Sequence, residues 1–239
     1  MGKNILIIGA SGGIGQATAI QLVRDGHQVI LHYNKNRSAI DYIIDQVEMT
    51  RVLSVIQADL TIHASVEQLL TSLAFTVDAV VFAGGEAHIN LFQDTTETVM
   101  DHMLMLHVKS PWLISQRLLP GMLQKRAGDI IFISSIWGDC GASMEVVYSS
   151  VKGAQNSFVK ALAKELAPNG IKVNAISPGY VDTKMNDHLS DEDKQSLLDE
   201  IPIKRAATPY DIAQTVRFLI GEATCINGEI IRIDGGWRP

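Results

Sequence analysis

Seven apolar runs of strand length recur along the 239-residue chain, at Asn4 to Ile8, Gln28 to His32, Val52 to Ile56, Ala79 to Phe82, Asp129 to Ile133, Lys172 to Ile176 and Glu229 to Ile233, with segments of helical period between them. The runs are continuously apolar rather than alternating, which suits strands covered by helices on both faces, as in a parallel sheet. Strand and helix in strict alternation predict an α/β fold with a seven-stranded, doubly wound parallel sheet. No Pro/Ser-rich linker, low-complexity tract or repeat divides the chain, and a 46% hydrophobic content over this length suits one large core. Residues 1–239 are therefore expected to form one domain.

Charge and composition exclude several classes of function. The net charge is −6, and no basic run exceeds Lys125-Arg126 or Lys204-Arg205, so nucleic acid is not an expected partner. Stretches such as Ile5 to Ile8 and Ile130 to Ile133 are far too short to span a bilayer, and the chain enters its first strand without a signal-like segment. Cys140 and Cys225 show no metal-ligand spacing. A cytoplasmic protein with ordinary buried thiols, no metal and no membrane contact is expected.

Directly after the first strand comes Gly9-Ala10-Ser11-Gly12-Gly13-Ile14-Gly15, followed by the helical run Gln16 to Asp25. Glycines there let the backbone turn tightly and approach a pyrophosphate, and a helix N-terminus presents free N–H groups and a positive dipole. Between the first strand and first helix of an α/β chain, such a loop points to a dinucleotide site and a Rossmann fold.

A second constellation is Tyr148-Ser149-Ser150-Val151-Lys152, with Ser135 thirteen positions before Tyr148. Residues four apart share a helical face, which brings a phenol and an ammonium together. A free tyrosine has a pKa of about 10, and a neighbouring ammonium is expected to lower it toward the range of efficient acid/base catalysis. Ser135 would offer a hydroxyl to the same substrate oxygen. The helix continues through Phe158, Leu162 and Leu166 and stops at Pro168-Asn169-Gly170. Between the sixth strand and the next helix, Thr183 to Pro202 is polar, carries the capping signal Ser190-Asp191-Glu192-Asp193, and is expected to form a substrate lid over about 183–203.

Gly9, Gly13 and Gly15, Asp59-Leu60, Ala83-Gly84, Ser135, Tyr148, Lys152, Ser177-Pro178-Gly179 and Asp234-Gly235-Gly236, in this order, resemble the short-chain dehydrogenase/reductase family over essentially the whole chain. The resemblance implies that Tyr148 passes a proton to a carbonyl oxygen as hydride arrives from a nicotinamide, with Ser135 polarising that oxygen. Lys152 would hold the nicotinamide ribose, with Tyr148 also in contact with the cofactor. The glycine loop, with Ser11 and Ile14, would cradle the pyrophosphate. Asp59 and Leu60 together with Ala83 and Gly84 would lie on the adenosine side, and Pro178, Gly179, Val181 and Thr183 near the carboxamide. Family members are commonly tetramers, so a homotetramer or homodimer is expected.

At the end of the second strand, where a carboxylate would select NADH, the chain has Tyr33 followed by Asn34, Lys35 and Arg37, with no carboxylate before Asp41. Those donors suit a 2′-phosphate and favour NADPH/NADP over NAD. Against this, Gly12 stands where many NADP-using members carry a basic residue. Other departures are Ile8 for the usual Thr, Val81-Phe82 for Asn-Asn, and His107 for the helical Asn that relays protons through water to the lysine. Ile8 is expected to pack near Phe82, and the His107 imidazole to take over the relay.

Within the family, Ala-Leu-Ala-Lys-Glu-Leu at 161–166, Val173-Asn174-Ala175-Ile176 and Asp234-Gly235-Gly236 resemble the 3-oxoacyl-(acyl-carrier-protein) reductases of fatty acid biosynthesis, whose substrate is a β-ketoacyl thioester. Arg126 matches one basic docking position of that branch, while Asn169-Gly170 replaces another. A closer local match, in Ser134-Ser135-Ile136-Trp137-Gly138, Gly141 to Val146 and Lys152-Gly153-Ala154-Gln155, is to the branch that reduces a 5-aminopentanone group on elongation factor P. There Glu145 would attract the substrate ammonium. A non-catalytic dinucleotide-binding regulator is the alternative of another class.

Overall fold

The computed structural model describes residues 2–187 and 189–237. His188, inside the expected lid, and Met1, Arg238 and Pro239, at the ends of the expected domain, lie outside the described residues. In chain order the elements begin β1 (Asn4–Ile8), α1 (Gly13–Arg24), β2 (Gln28–Tyr33), α2 (Arg37–Gln46), β3 (Val52–Gln57), α3 (His63–Thr71) and β4 (Ala79–Phe82). Next come α4 (Glu97–Leu104), α5 (Ser110–Lys125), β5 (Gly128–Ile133), α6 (Trp137–Cys140) and α7 (Val146–Leu166). The chain closes with β6 (Ile171–Pro178), α8 (Asp191–Glu200), α9 (Pro209–Gly221) and β7 (Ile230–Ile233).

All seven strands are parallel, in the order β3-β2-β1-β4-β5-β6-β7. The direction of winding reverses between β1 and β4, and the crevice beyond the carboxyl ends of those two strands is where an open α/β sheet binds ligands. Alternate strand residues feed two cores. Ile5, Ile7, Leu31 and Val81 pack with Leu22 of α1, Ile40 of α2 and Val216 of α9 on one face. Leu6, Ile30, Val80 and Phe132 pack with Leu69 of α3, Met122 of α5 and Val159 of α7 on the other. Side chains of this size stabilise the fold by ~1.5–3 kcal/mol each when fully buried, which is why both faces must be covered.

Ile8 and Phe82 are direct partners in the β1–β4 ladder and share the second core, where Phe82 stacks on Phe132 with ring centroids 4.6 Å apart. The polar clamp of the family pattern is thus replaced by apolar packing on both sides. At the end of α7 the chain passes through a short 3-10 turn, Ala167–Asn169, and Gly170 closes it at φ +72°. The segment expected as a lid contains a 3-10 turn, Lys184–Asn186, and α8, capped by the Ser190 hydroxyl accepting from Asp193 N–H.

Candidate active site

The glycine loop turns against the β4 end. Gly9 has φ +79°, and a Cβ there would lie 2.3 Å from Gly84 Cα; one on Gly15 would lie 2.2 Å from Gly9 O. Only glycine lets these backbones approach so closely. The first turn of α1 carries no acidic side chain, so its N–H groups and dipole face the crevice uncompensated.

That crevice is a cleft of about 1120 Å³, and Gly9, Ser11, Gly13, Ile14, Asn34, Leu60, Ala83, Gly84 and Thr183 line it. Its shape and its donor set fit a dinucleotide: a cradle that any Cβ would fill at Gly9, a free helix N-terminus, and side-chain amides and hydroxyls at the β2 end. Other expected residues stand differently. Gly15 supports the turn from beneath. Asp59 is absent from the lining, because its carboxylate is turned to accept from Thr61 N–H and Oγ–H at 2.9 and 2.7 Å, which holds it below the usual carboxylate range. Lys35 and Arg37 do not line the cleft either; Arg37 pairs with Asp41 at 2.9 Å and lies over the Tyr33 ring. Asn36 and Ser38 do line it, and sequence reasoning missed both. The Asn-x-Ser pattern preceding a helix was the available signal, since Asn36 caps α2 by accepting from Ala39 N–H.

Sequence reasoning also missed His32. Its Nδ1 accepts from Gly9 N–H at 3.0 Å, and its Nε2 lies 3.1 Å from Ala58 O, so one buried imidazole ties the glycine loop to the end of β3. Burial brings His32 down to about 4 and His107 to about 3. Both stay neutral in the fold while an unfolded histidine takes up a proton below about 6.5. Stability is therefore lost as pH falls from about 6.5 toward those folded values. At ~1.4 kcal/mol per pH unit, His32 alone accounts for roughly 3 kcal/mol. Thermal melts between pH 7 and 4 are expected to show this decline, and His32→Asn to flatten it; an equal slope in the variant would contradict the assignment.

At its inner end the cleft shares Ile14, Ala83, Gly84, Gly85 and Thr183 with a second cavity of about 260 Å³. Ser135, Tyr148, Lys152, Pro178, Gly179 and Val181 line this cavity, with Glu145, Trp137 and Trp237. Tyr148 and Lys152 rise from the first turns of α7, and Ser135 follows β5, as the spacing predicts. The Ser135 hydroxyl stands near the Tyr148 phenol, whose ionisation it favours, and accepts from Trp137 N–H at 3.2 Å. Ser134 Oγ donates to Asn156 Oδ1 at 2.7 Å, fastening the end of β5 to α7. Leu189 and Leu197, from the expected lid, close one side.

One electrostatic expectation is reversed. Burial pushes the Tyr148 phenol up to about 12, the Glu145 charge adds to the rise, and the nearby Ser135 hydroxyl opposes it. Lys152 does not lower it, because Lys152 is itself buried, drawn down to about 7 by desolvation, and lies 5.6 Å from the tyrosine ring centroid without a hydrogen bond to the phenol. Its Nζ instead donates to Ile133 O at 2.9 Å and Gln155 Oε1 at 3.3 Å.

His107 sits behind the pocket in a π turn, Met105–Lys109, with its ring edge-on to Tyr148 at 5.8 Å. The ring engages Glu86 O through Nε2 at 2.9 Å, and its buried Nδ1 has no hydrogen-bond partner among the described residues. The link from His107 toward Lys152 runs through its backbone carbonyl, which accepts from Gln155 Nε2 at 2.7 Å.

A parallel sheet reversing at β1/β4, a glycine cradle there, and Ser, Tyr and Lys at the cleft's inner end define a dinucleotide-dependent oxidoreductase. The chain belongs to the short-chain dehydrogenase/reductase family: a family model described as enoyl-(acyl carrier protein) reductase matches residues 9–238. It is 43% identical to the oxidoreductase YmfI of Bacillus subtilis (strain 168) over the whole of both chains. It is 33% identical to the 3-oxoacyl-(acyl-carrier-protein) reductase FabG of Staphylococcus epidermidis, over 99% of each. Among solved structures, a proposed NAD(P) dependent gluconate 5-dehydrogenase of Beutenbergia cavernae with NADP bound at low occupancy matches at TM-score 0.92 and 27% identity, covering 99% of this chain and 96% of that one. Among the described residues no helix is long and apolar enough to cross a membrane.

Proposed function

We propose that this chain is an NADPH-dependent ketone reductase of the 3-oxoacyl-(acyl-carrier-protein) reductase type. The observation that carries the reading is the meeting of the glycine-lined cleft with the pocket holding Ser135, Tyr148 and Lys152. Bound along the cleft, NADPH supplies the hydride. The hydroxyls of Ser135 and Tyr148 hold the substrate oxygen, and Tyr148 donates its proton as negative charge develops there. An alkoxide is a stronger base than a phenolate, so the donation is downhill even from a phenol raised to about 12. Asn34, Asn36 and Ser38 receive the adenosine ribose and its 2′-phosphate, with Lys35 and Arg37 supplying positive charge from the flank. His107, behind Tyr148, would serve the proton relay, and Asp59 would contact the adenine amino group from just outside the cleft lining. The exposed Trp112 ring, tilted on Phe158 at 5.8 Å, offers an apolar face of α5 and α7 for a homotetramer or homodimer.

A second reading is supported by Glu145. It lines the pocket with Trp137 and Trp237, whose rings meet edge-on at 5.4 Å, and its charge reaches Tyr148. A carboxylate beside aromatic faces suits a ketone bearing an ammonium, such as the 5-aminopentanone modification of elongation factor P. The test compares NADPH oxidation on acetoacetyl-acyl carrier protein with that on the aminoketone-modified factor. Faster turnover of the thioester is expected. Faster turnover of the modified factor, lost in Glu145→Gln, would select the second reading, and NADPH binding without turnover of either would contradict both.

A further inference from the structure

Lys152 is 4% exposed, and among the described residues its Nζ donates to two neutral carbonyls. One of them, Ile133 O, belongs to the strand. The other belongs to the amide of Gln155, three residues further along α7 and equally buried. An amide can turn either end toward a neighbour, and what decides here is the far side: Gln155 Nε2 donates to His107 O at 2.7 Å. With the NH2 committed to a carbonyl, only the oxygen can face the ammonium. The π turn at Met105–Lys109 widens the helical ladder at this point, and its residue His107 is the one whose carbonyl Gln155 reaches.

We propose that Gln155 is a positioning residue for Lys152, a fixed link from the π-turn carbonyl of His107 to the buried ammonium that orients Lys152 and favours its charged form. The link spans the path between His107 O and Nζ. The titratable groups around it are Tyr148 on the same helix, His107 on the π turn and Glu145 just before α7. Of these, Tyr148 and His107 are neutral near pH 7 and Glu145 brings negative charge to the same pocket, while the two carbonyls are the acceptors that Nζ hydrogen-bonds among the described residues.

The inference deepens the proposed reductase and rests on it only for its activity arm. The direct measurement is the titration of Lys152 by NMR of 13Cε-labelled lysine in the full chain, the resonance being assigned by its absence from Lys152→Arg. Gln155→Leu, which keeps bulk and loses both hydrogen bonds, is expected to lower the Lys152 pKa by about one unit. Gln155→Glu is expected to raise it by at least as much. The basic limb of the pH–rate profile for NADPH oxidation with ethyl acetoacetate should move in the same directions, with turnover in Gln155→Leu down about tenfold. An unmoved Lys152 titration in either variant would overturn the proposal; should Gln155→Leu not fold, Gln155→Glu decides alone. Wild-type enzyme that leaves NADPH unconsumed would count against the reductase reading, while the NMR titration would still decide the role of Gln155.

Discussion

Tyr148→Phe is expected to reduce turnover of ethyl acetoacetate with NADPH by about 10²–10⁴-fold, the usual contribution of a positioned general acid, while cofactor affinity is unchanged. The substitution keeps the ring that meets His107 edge-on and the volume buried among Met103, Val108 and Val151. It removes only the hydroxyl. Ser135 still accepts from Trp137 N–H, so that backbone donor keeps its partner. Steady-state kinetics alongside NADPH titration by fluorescence separate the two quantities. Full activity in the variant would remove Tyr148 from the chemistry; a parallel loss of cofactor affinity would make its role structural.

The second large effect belongs to the glycine loop. Gly9→Ala must place a Cβ where Gly84 Cα already stands, at a backbone angle of φ +79° that side chains resist, and neither backbone can move without disturbing the β1–β4 ladder. A loss of about 3 kcal/mol or more in stability is expected, with loss of dinucleotide binding. Gly12→Ala is the internal control. Gly12 has φ −82°, and its added Cβ would meet nothing nearer than Gly9 O at 3.5 Å. Chemical denaturation of the two variants should therefore differ sharply, and equal stability would show that the loop is not close-packed as described.

The strands were readable because a doubly covered sheet demands uninterrupted apolar runs, and each expected run overlaps its strand to within a residue or two. Gly9, Ser135, Tyr148 and Lys152 were readable because the fold places strand ends and the first turns of helices around one crevice, where local spacing carries through to three dimensions. What stayed hidden depends on distant partners. His32 reads as one more residue of a buried strand, and only the folded sheet brings Gly9 and Ala58 to its two nitrogens. Gln155 reads as a helical residue until the π turn sets His107 O opposite it. The expected lowering of the Tyr148 pKa failed for a related reason: spacing brings the ammonium near, but burial of both groups outweighs the attraction between them.

The reductase function stands or falls on hydride transfer to a ketone in the Tyr148 pocket. NADPH deuterated on the transferring face of C4 of the nicotinamide, incubated with the protein and ethyl acetoacetate, tests it most directly by mass spectrometry of the product. The expected product is ethyl 3-hydroxybutyrate carrying one deuterium at C3, formed at one equivalent per NADPH consumed. Saturable NADPH binding with no deuterated alcohol from this ester, from the acyl-carrier thioester or from the aminoketone-modified factor would contradict it and leave a dinucleotide-binding protein without catalysis.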